Sequence, residues 1–228
     1  MIYNGTPSSD GACYNTGDAS EIQKSAFNED NYNSASAVGY MYGTDSNSYY
    51  NNDVESDIKI VIDDWFSKNL NNYVSYLENT VYCNDRTLEP GYGDGVWFIG
   101  YGPKYRLSTN KTPSIVCENP TDSFTIDSSN GNGKLEYPVG LITADEVAYA
   151  GGGEWMGNST YYLYSDSYYW TLSPYNGLPS TVFAVAQTGD LTGHWTNNAY
   201  GVRPVISLKK GVQITSGDGS YATPYRIG

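Results

Sequence analysis

Tyrosine sets the terms on which this chain can fold. It occurs 24 times, whereas Leu, Ile, Val and Phe together supply only 42 of the 228 residues. So small an aliphatic share, beside a net charge of −13, is the compositional signature of a chain that stays disordered. Tyrosine argues the other way, because each buried aromatic ring removes about 150–250 Å² from water. With 15% aromatic and 16% charged residues, the chain can build a core, provided rings fill it. Tyr, Gly, Ser and Asn together make 94 residues. That is also the residue set of antibody-type binding loops, where Tyr gives rigid amphipathic contact and the others give adaptable hydrogen bonds.

The acidic balance argues against nucleic-acid binding, which needs a basic face to displace counterions from phosphate. It argues equally against docking on anionic lipid. No apolar run is long enough to span a bilayer, so no membrane insertion is expected of this stretch of chain. The first ten residues lack the basic and apolar regions of a signal peptide and read as a short strand entering a turn. Such a start is expected of a fragment of a longer protein. The length suits one large domain or two small ones, and a single domain over 1–228 is expected.

Three cysteines, Cys13, Cys83 and Cys117, form no CxxC pair, which argues against zinc. They are either three buried thiols, or a Cys83–Cys117 disulfide with Cys13 left for a partner outside the fragment.

Residues 1–50 are turn-rich, with one short helix expected near 21–27. The strongest periodicity follows. Val54, Ile58, Val61, Ile62, Trp65 and Phe66 repeat at helical spacing, predicting a helix over 54–70 with Asp53 or Ser56 as its cap and Asp57 at the positive end of its dipole. A second helical stretch is expected over 73–78. Thr143 and Glu146 form a T-x-x-E capping box, and the three glycines at 151–153 end the short helix it starts. Strands are expected over 81–83, 115–117, 123–126, 161–164, 168–172, 181–186, 201–208 and 212–215. Turns such as Gly189-Asp190 imply an antiparallel sheet. The turn cluster at 127–133 lacks the ligand spacing of a calcium-binding loop.

No catalytic constellation stands out. His194 is the single histidine, and no nucleophile elbow or phosphate loop is present. A glycosidase would need two carboxylates across a cleft, a pair that sequence alone does not select. The expectation is therefore a non-enzyme without cofactor or metal. Trp170 is expected to anchor the core. Arg203 is expected to form an ion pair or a carbonyl clamp beneath the loops, with Pro204 marking an edge strand or bulge.

Several segments, taken in order, resemble a large family of cell-surface or pilin-like proteins of gut bacteria. They are Tyr-Cys-Asn-Asp-Arg at 82–86, Tyr-Pro-Val-Gly-Leu-Ile-Thr-Ala-Asp-Glu-Val at 137–147, Tyr-Trp-Thr-Leu-Ser-Pro at 169–174, Tyr-Gly-Val-Arg-Pro-Val-Ile at 200–206, and Gly-Asp-Gly…Pro-Tyr at 217–225. The Trp-to-Ser-Pro segment followed by Gly-Val-Arg-Pro-Val is also similar to bacterial C-type-lectin-like domains. These include formylglycine-generating-enzyme-like proteins and the variable proteins of diversity-generating retroelements. The resemblance implies an α+β, C-type-lectin-like fold, with two or three helices beside a twisted antiparallel sheet carrying long loops. In the variable proteins, ligand-contacting positions precede a terminal Gly-x-Arg strand. The matching stretch, 175–200, holds Tyr175, Asn176, His194, Trp195, Asn197, Asn198 and Tyr200.

No cysteine follows Cys117, so the resemblance to formylglycine-generating enzymes implies fold without activity. The calcium-binding tripeptides of vertebrate C-type lectins are absent too. The resulting expectation is an extracellular or cell-surface adhesin-like domain that binds a host or bacterial surface protein or glycan through these loops. The alternatives are a structural pilus or surface-layer subunit and, beyond that, a glycan-active enzyme built on acidic pairs.

Overall fold

The structure is a computed structural model that describes residues 1–5, 17–30, 34–45, 50–91, 100–177, 179–218, 223 and 225–227. Cys13, most of the glycine-rich stretch at 89–102 and part of the 217–225 motif lie outside the described residues.

Eleven strands are described: β1 (Lys24–Ser25), β2 (Met41–Tyr42), β3 (Val54–Glu55), β4 (Tyr82–Cys83), β5 (Ser123–Phe124), β6 (Tyr169–Gly177), β7 (Ser180–Val185), β8 (Leu191–Trp195), β9 (Tyr200–Gly201), β10 (Ile214–Ser216) and β11 (Arg226–Ile227). The helices are α1 (Asp57–Asn69), α2 (Gly102–Lys104), which runs into a π turn at Tyr105–Asn110, and α3 (Ala144–Tyr149). Helix and sheet are thus mixed in an α+β arrangement. The main sheet has the order β1-β9-β6-β7-β8. It is mixed and not purely antiparallel, because β6 meets β9 in parallel at Tyr169↔Gly201.

Two cores lie on the two faces of this sheet, and alternation along the strands assigns residues to them. Trp170, Leu172, Val182 and Ala184 face a larger core with Phe27, Tyr40, Tyr101, Phe124 and α1's Ile58, Ile62 and Phe66. Tyr169, Phe183, Val185 and Leu191 face a smaller core with α3's Val147 and with Tyr161 and Leu163. Trp170 is fully buried, as expected of an anchor. Its indole donates to Ser25 O at 2.9 Å, and its ring meets Phe27 edge-on.

Helix α1 begins later than its periodicity suggests. Val54 and Glu55 pair with β2, and Ser56, not Asp53, is the cap, its hydroxyl accepting from Lys59 N. The capping box of α3 is formed in both directions, and Gly151 ends the helix at φ 109°, where a side chain would be strained. Residues 21–27 form no helix. They follow a single 3-10 turn at Gly17–Ser20 and contain β1. The second helical stretch is a 3-10 segment at Asn71–Tyr76. Residues 115–117 and 161–164 are not strands, and the strand expected over 201–208 stops at Gly201, leaving lone bridges at Val205 and Leu208. In each case apolar or β-branched content is present but a continuous partner strand is not.

Arg203 is a carbonyl clamp, 2% exposed. It donates to Tyr3 O at 3.1 Å, Leu163 O at 3.0 Å and Asn4 Oδ1 at 3.0 Å, while its guanidinium lies over the Tyr169 ring. Cys83 and Cys117 form a disulfide. The turn after Asp127 is organised by that carboxylate, which accepts from Ser129 N at 2.9 Å.

Candidate functional site

The seven contact candidates do not share one loop surface. Tyr175 and Asn176 belong to β6, His194 and Trp195 to β8 and Tyr200 to β9, with only Asn197 and Asn198 in the connecting turn. The pairing Val182↔His194 and Phe183↔Gly193 then places His194 and Trp195 on opposite faces of the sheet.

On the larger-core face, the candidates close on one another. The Tyr200 ring stacks on Tyr168 with centroids 4.8 Å apart and tilts against Trp170. His194 meets both tyrosines edge-on. Its Nδ1 lies 3.0 Å from the Tyr200 hydroxyl and its Nε2 lies 2.6 Å from Thr192 Oγ1. Asn198 donates to the Tyr200 hydroxyl at 3.3 Å. Burial holds the imidazole below its ordinary value. His194 is thus a half-buried ring held in an aromatic box, with a hydrogen-bond partner at each nitrogen. Beside this box, the Glu21 carboxyl is pressed against Gly201. Burial, then the Asp18 charge, raises it to about 7 against the opposing pull of Lys24 and Arg203.

On the other face, the side chains open outward. The Tyr175 ring lies directly on Gly193, where any Cβ would collide with it, and its edge meets Phe183. Lys104 sits over the same ring and donates to Asn176 Oδ1 at 3.0 Å. The Tyr175 hydroxyl lies against the Glu154 carboxylate and the Trp155 indole. Burial first, and then Glu154, push it up to about 12. The segment carrying Glu154 and Trp155 runs along the outer edge of β8, with Leu191 N donating to Gly153 O at 2.9 Å and Trp155 N to Leu191 O at 3.3 Å. Trp195 is 53% exposed, Trp155 69% and Met156 70%.

Sequence reasoning named Tyr175, Asn176 and Trp195 but missed Lys104, Glu154 and Trp155. The available signal was Trp-Met set between glycines at 153 and 157, two large apolar residues in a stretch too glycine-rich to bury them.

A separate cleft of about 260 Å³ lies under the strap that ends in the disulfide, lined by Asp85, Arg106 and Asp145 among others. Arg106 grips Asp145 with two hydrogen bonds, at 3.0 and 2.8 Å, and Asp85 with a third at 2.7 Å. Both carboxylates are thereby tied to one guanidinium, an arrangement that orders the π turn and the start of α3.

A family model described as a domain of unknown function (DUF6273) matches residues 125–210. That span holds α3 and the strands β6 to β9. No curated protein and no solved structure matches the chain. No helix among the described residues is long and apolar enough to cross a membrane.

Proposed function

We propose that this chain is a recognition domain, displayed outside the cell or at its surface on a C-type-lectin-like scaffold, that binds a protein or glycan without chemistry. The observation that carries this reading is the open aromatic face at the β8 edge. Trp195 stands 53% exposed there beside Tyr175, whose ring is fixed by Gly193 and Lys104. Trp and Tyr held rigid among small polar groups are the residue types that dominate binding energy. The disulfide suits an oxidising compartment, and the acidic surface keeps such a head soluble.

A glycan and protein array probed with the whole chain tests the reading. The Tyr175→Ala/Trp195→Ala double variant is expected to lose the spots that the unaltered chain lights. Identical patterns from both would remove this face as the contact site.

One observation favours a second reading, that of a structural subunit. A groove of about 540 Å³, lined by Ile115, Ile142, Tyr149, Tyr162 and Leu163 among others, has Ile115 at 73% exposure and Tyr162 at 79% at its rim. A subunit packing through that groove would sediment as an oligomer, and Tyr162→Ser would return it to monomer.

A further inference from the structure

The open face holds an aromatic residue in a backbone conformation that its side chain disfavours. Trp155 has φ 55°, in the left-handed region that Asp and Asn tolerate but a bulky residue rarely enters. Nothing in its burial accounts for this, because the residue is 69% exposed. Backbone strain held at an exposed position is concentrated at ligand-contact sites. The Trp155 indole lies against the Tyr175 hydroxyl.

The consequence is a row. Trp155 is tied to Leu191, Tyr175 lies on Gly193, and Trp195 follows on the same face. Alternate residues of a strand are about 7 Å apart, so the row extends over roughly 14 Å. Polar groups border it around Tyr175, the Lys104 ammonium and the Asn176 amide, while the Glu154 carboxylate is buried against the Tyr175 hydroxyl. Two exposed indoles flanking a fixed tyrosine, bordered by an amide and an ammonium, match a ligand with flat apolar ring faces and hydroxyls around their rims. A protein partner's buried hot spot would call for a contiguous apolar centre, whereas here polar groups border the central ring. The net charge of −13 works against anionic polymers.

We infer that Trp155, Tyr175 and Trp195 form a linear platform for a neutral oligosaccharide, with Lys104 and Asn176 bonding its hydroxyls. This assignment rests on the recognition reading above and adds to it the ligand class and the residue Trp155.

The test uses the whole chain titrated with cellotetraose, chitotetraose and maltotetraose, followed by tryptophan fluorescence and calorimetry. At least one sugar is expected to bind. Trp155→Gly and Trp195→Ala are each expected to weaken that binding about tenfold or more. Trp155→Gly is the decisive variant, because glycine relieves the left-handed backbone. It is expected to fold with an unchanged or higher Tm while losing affinity. Three outcomes overturn the assignment. The first is sugar binding indifferent to both variants, and the second is a Trp155→Gly chain of clearly lower Tm with intact binding. In the third, no sugar binds while array protein spots depend on Trp195; the glycan class then fails and the recognition reading survives. If neither sugars nor array spots respond, both fail together.

Discussion

On one face of β8, half-buried His194 is held among Tyr168, Tyr200 and Thr192. On the other, Trp195 stands in solvent, and Trp155 reaches solvent beyond Tyr175. The residue types are alike and adjacent in sequence, so composition does not separate the two groups. What separates them is the layer beneath. The closed group rests on Trp170 and the larger core, and its polar atoms bond one another. The open group lies at the rim of the smaller core, next to a glycine, Gly193, that offers no side chain for cover. Aromatic content thus serves stability on one side and exposure on the other.

The largest effect expected is at the floor of the closed group. Trp170→Ala should cost about 3–5 kcal/mol in a denaturant titration, since it empties a fully buried site and removes the ring under Tyr200. Arg203→Ala should cost at least ~2 kcal/mol, because three acceptors lose a charged donor.

Acidity should then probe the closed group from two sides. Glu21, raised from 4.5 to about 7 in the folded chain, holds its proton longer when folded than when unfolded. Its contribution to stability is fully present below pH 4.5 and is lost as pH rises through about 7. Glu21→Gln should remove that loss, read as Tm against pH. His194 acts with the opposite sign. Its folded value is depressed, so stability falls as pH drops below the ordinary imidazole range, and His194→Gln should abolish that fall. A pH profile identical in both variants and the unaltered chain would break the picture of a closed, titrating box.

Tyr200→Phe, which removes only the hydroxyl facing His194, should cost about 1 kcal/mol. The smallest effect belongs to the open face: Trp195→Ala should change stability by no more than ~0.5 kcal/mol. A larger loss there would make Trp195 a packing residue and sink the comparison.

Signals confined to a few neighbouring residues were readable in the sequence. The Thr143–Glu146 box and the helical repeat of Ile58, Ile62 and Phe66 depend on nothing distant. The beginning of α1 did depend on something distant, the pairing of Val54 and Glu55 with β2, and so was misplaced. Ile115 and Val116 have strand-like side chains but no strand beside them; the disulfide and a bond from the Tyr149 hydroxyl to Pro113 O hold that segment instead. β8 was taken for a loop because Leu-Thr-Gly-His-Trp has a central glycine and only one aliphatic residue. Its extended form comes from the ladder with β7. For the same reason the two faces of the candidate site could not be told apart from the sequence, since a face is assigned by register and register is a property of the pair.

The disulfide has a consequence for the integrity of the chain. Cys83 and Cys117 are 34 positions apart, and the loop they close also contributes Arg86 to Asp122 and Arg106 to Asp145, both outside it. A single backbone cut anywhere between the two cysteines would therefore leave one covalent molecule. Each side of the cut would keep its own anchor wherever the cut fell between Arg86 and Arg106. Such a nick would be invisible on a non-reducing gel and would appear as two fragments only after reduction.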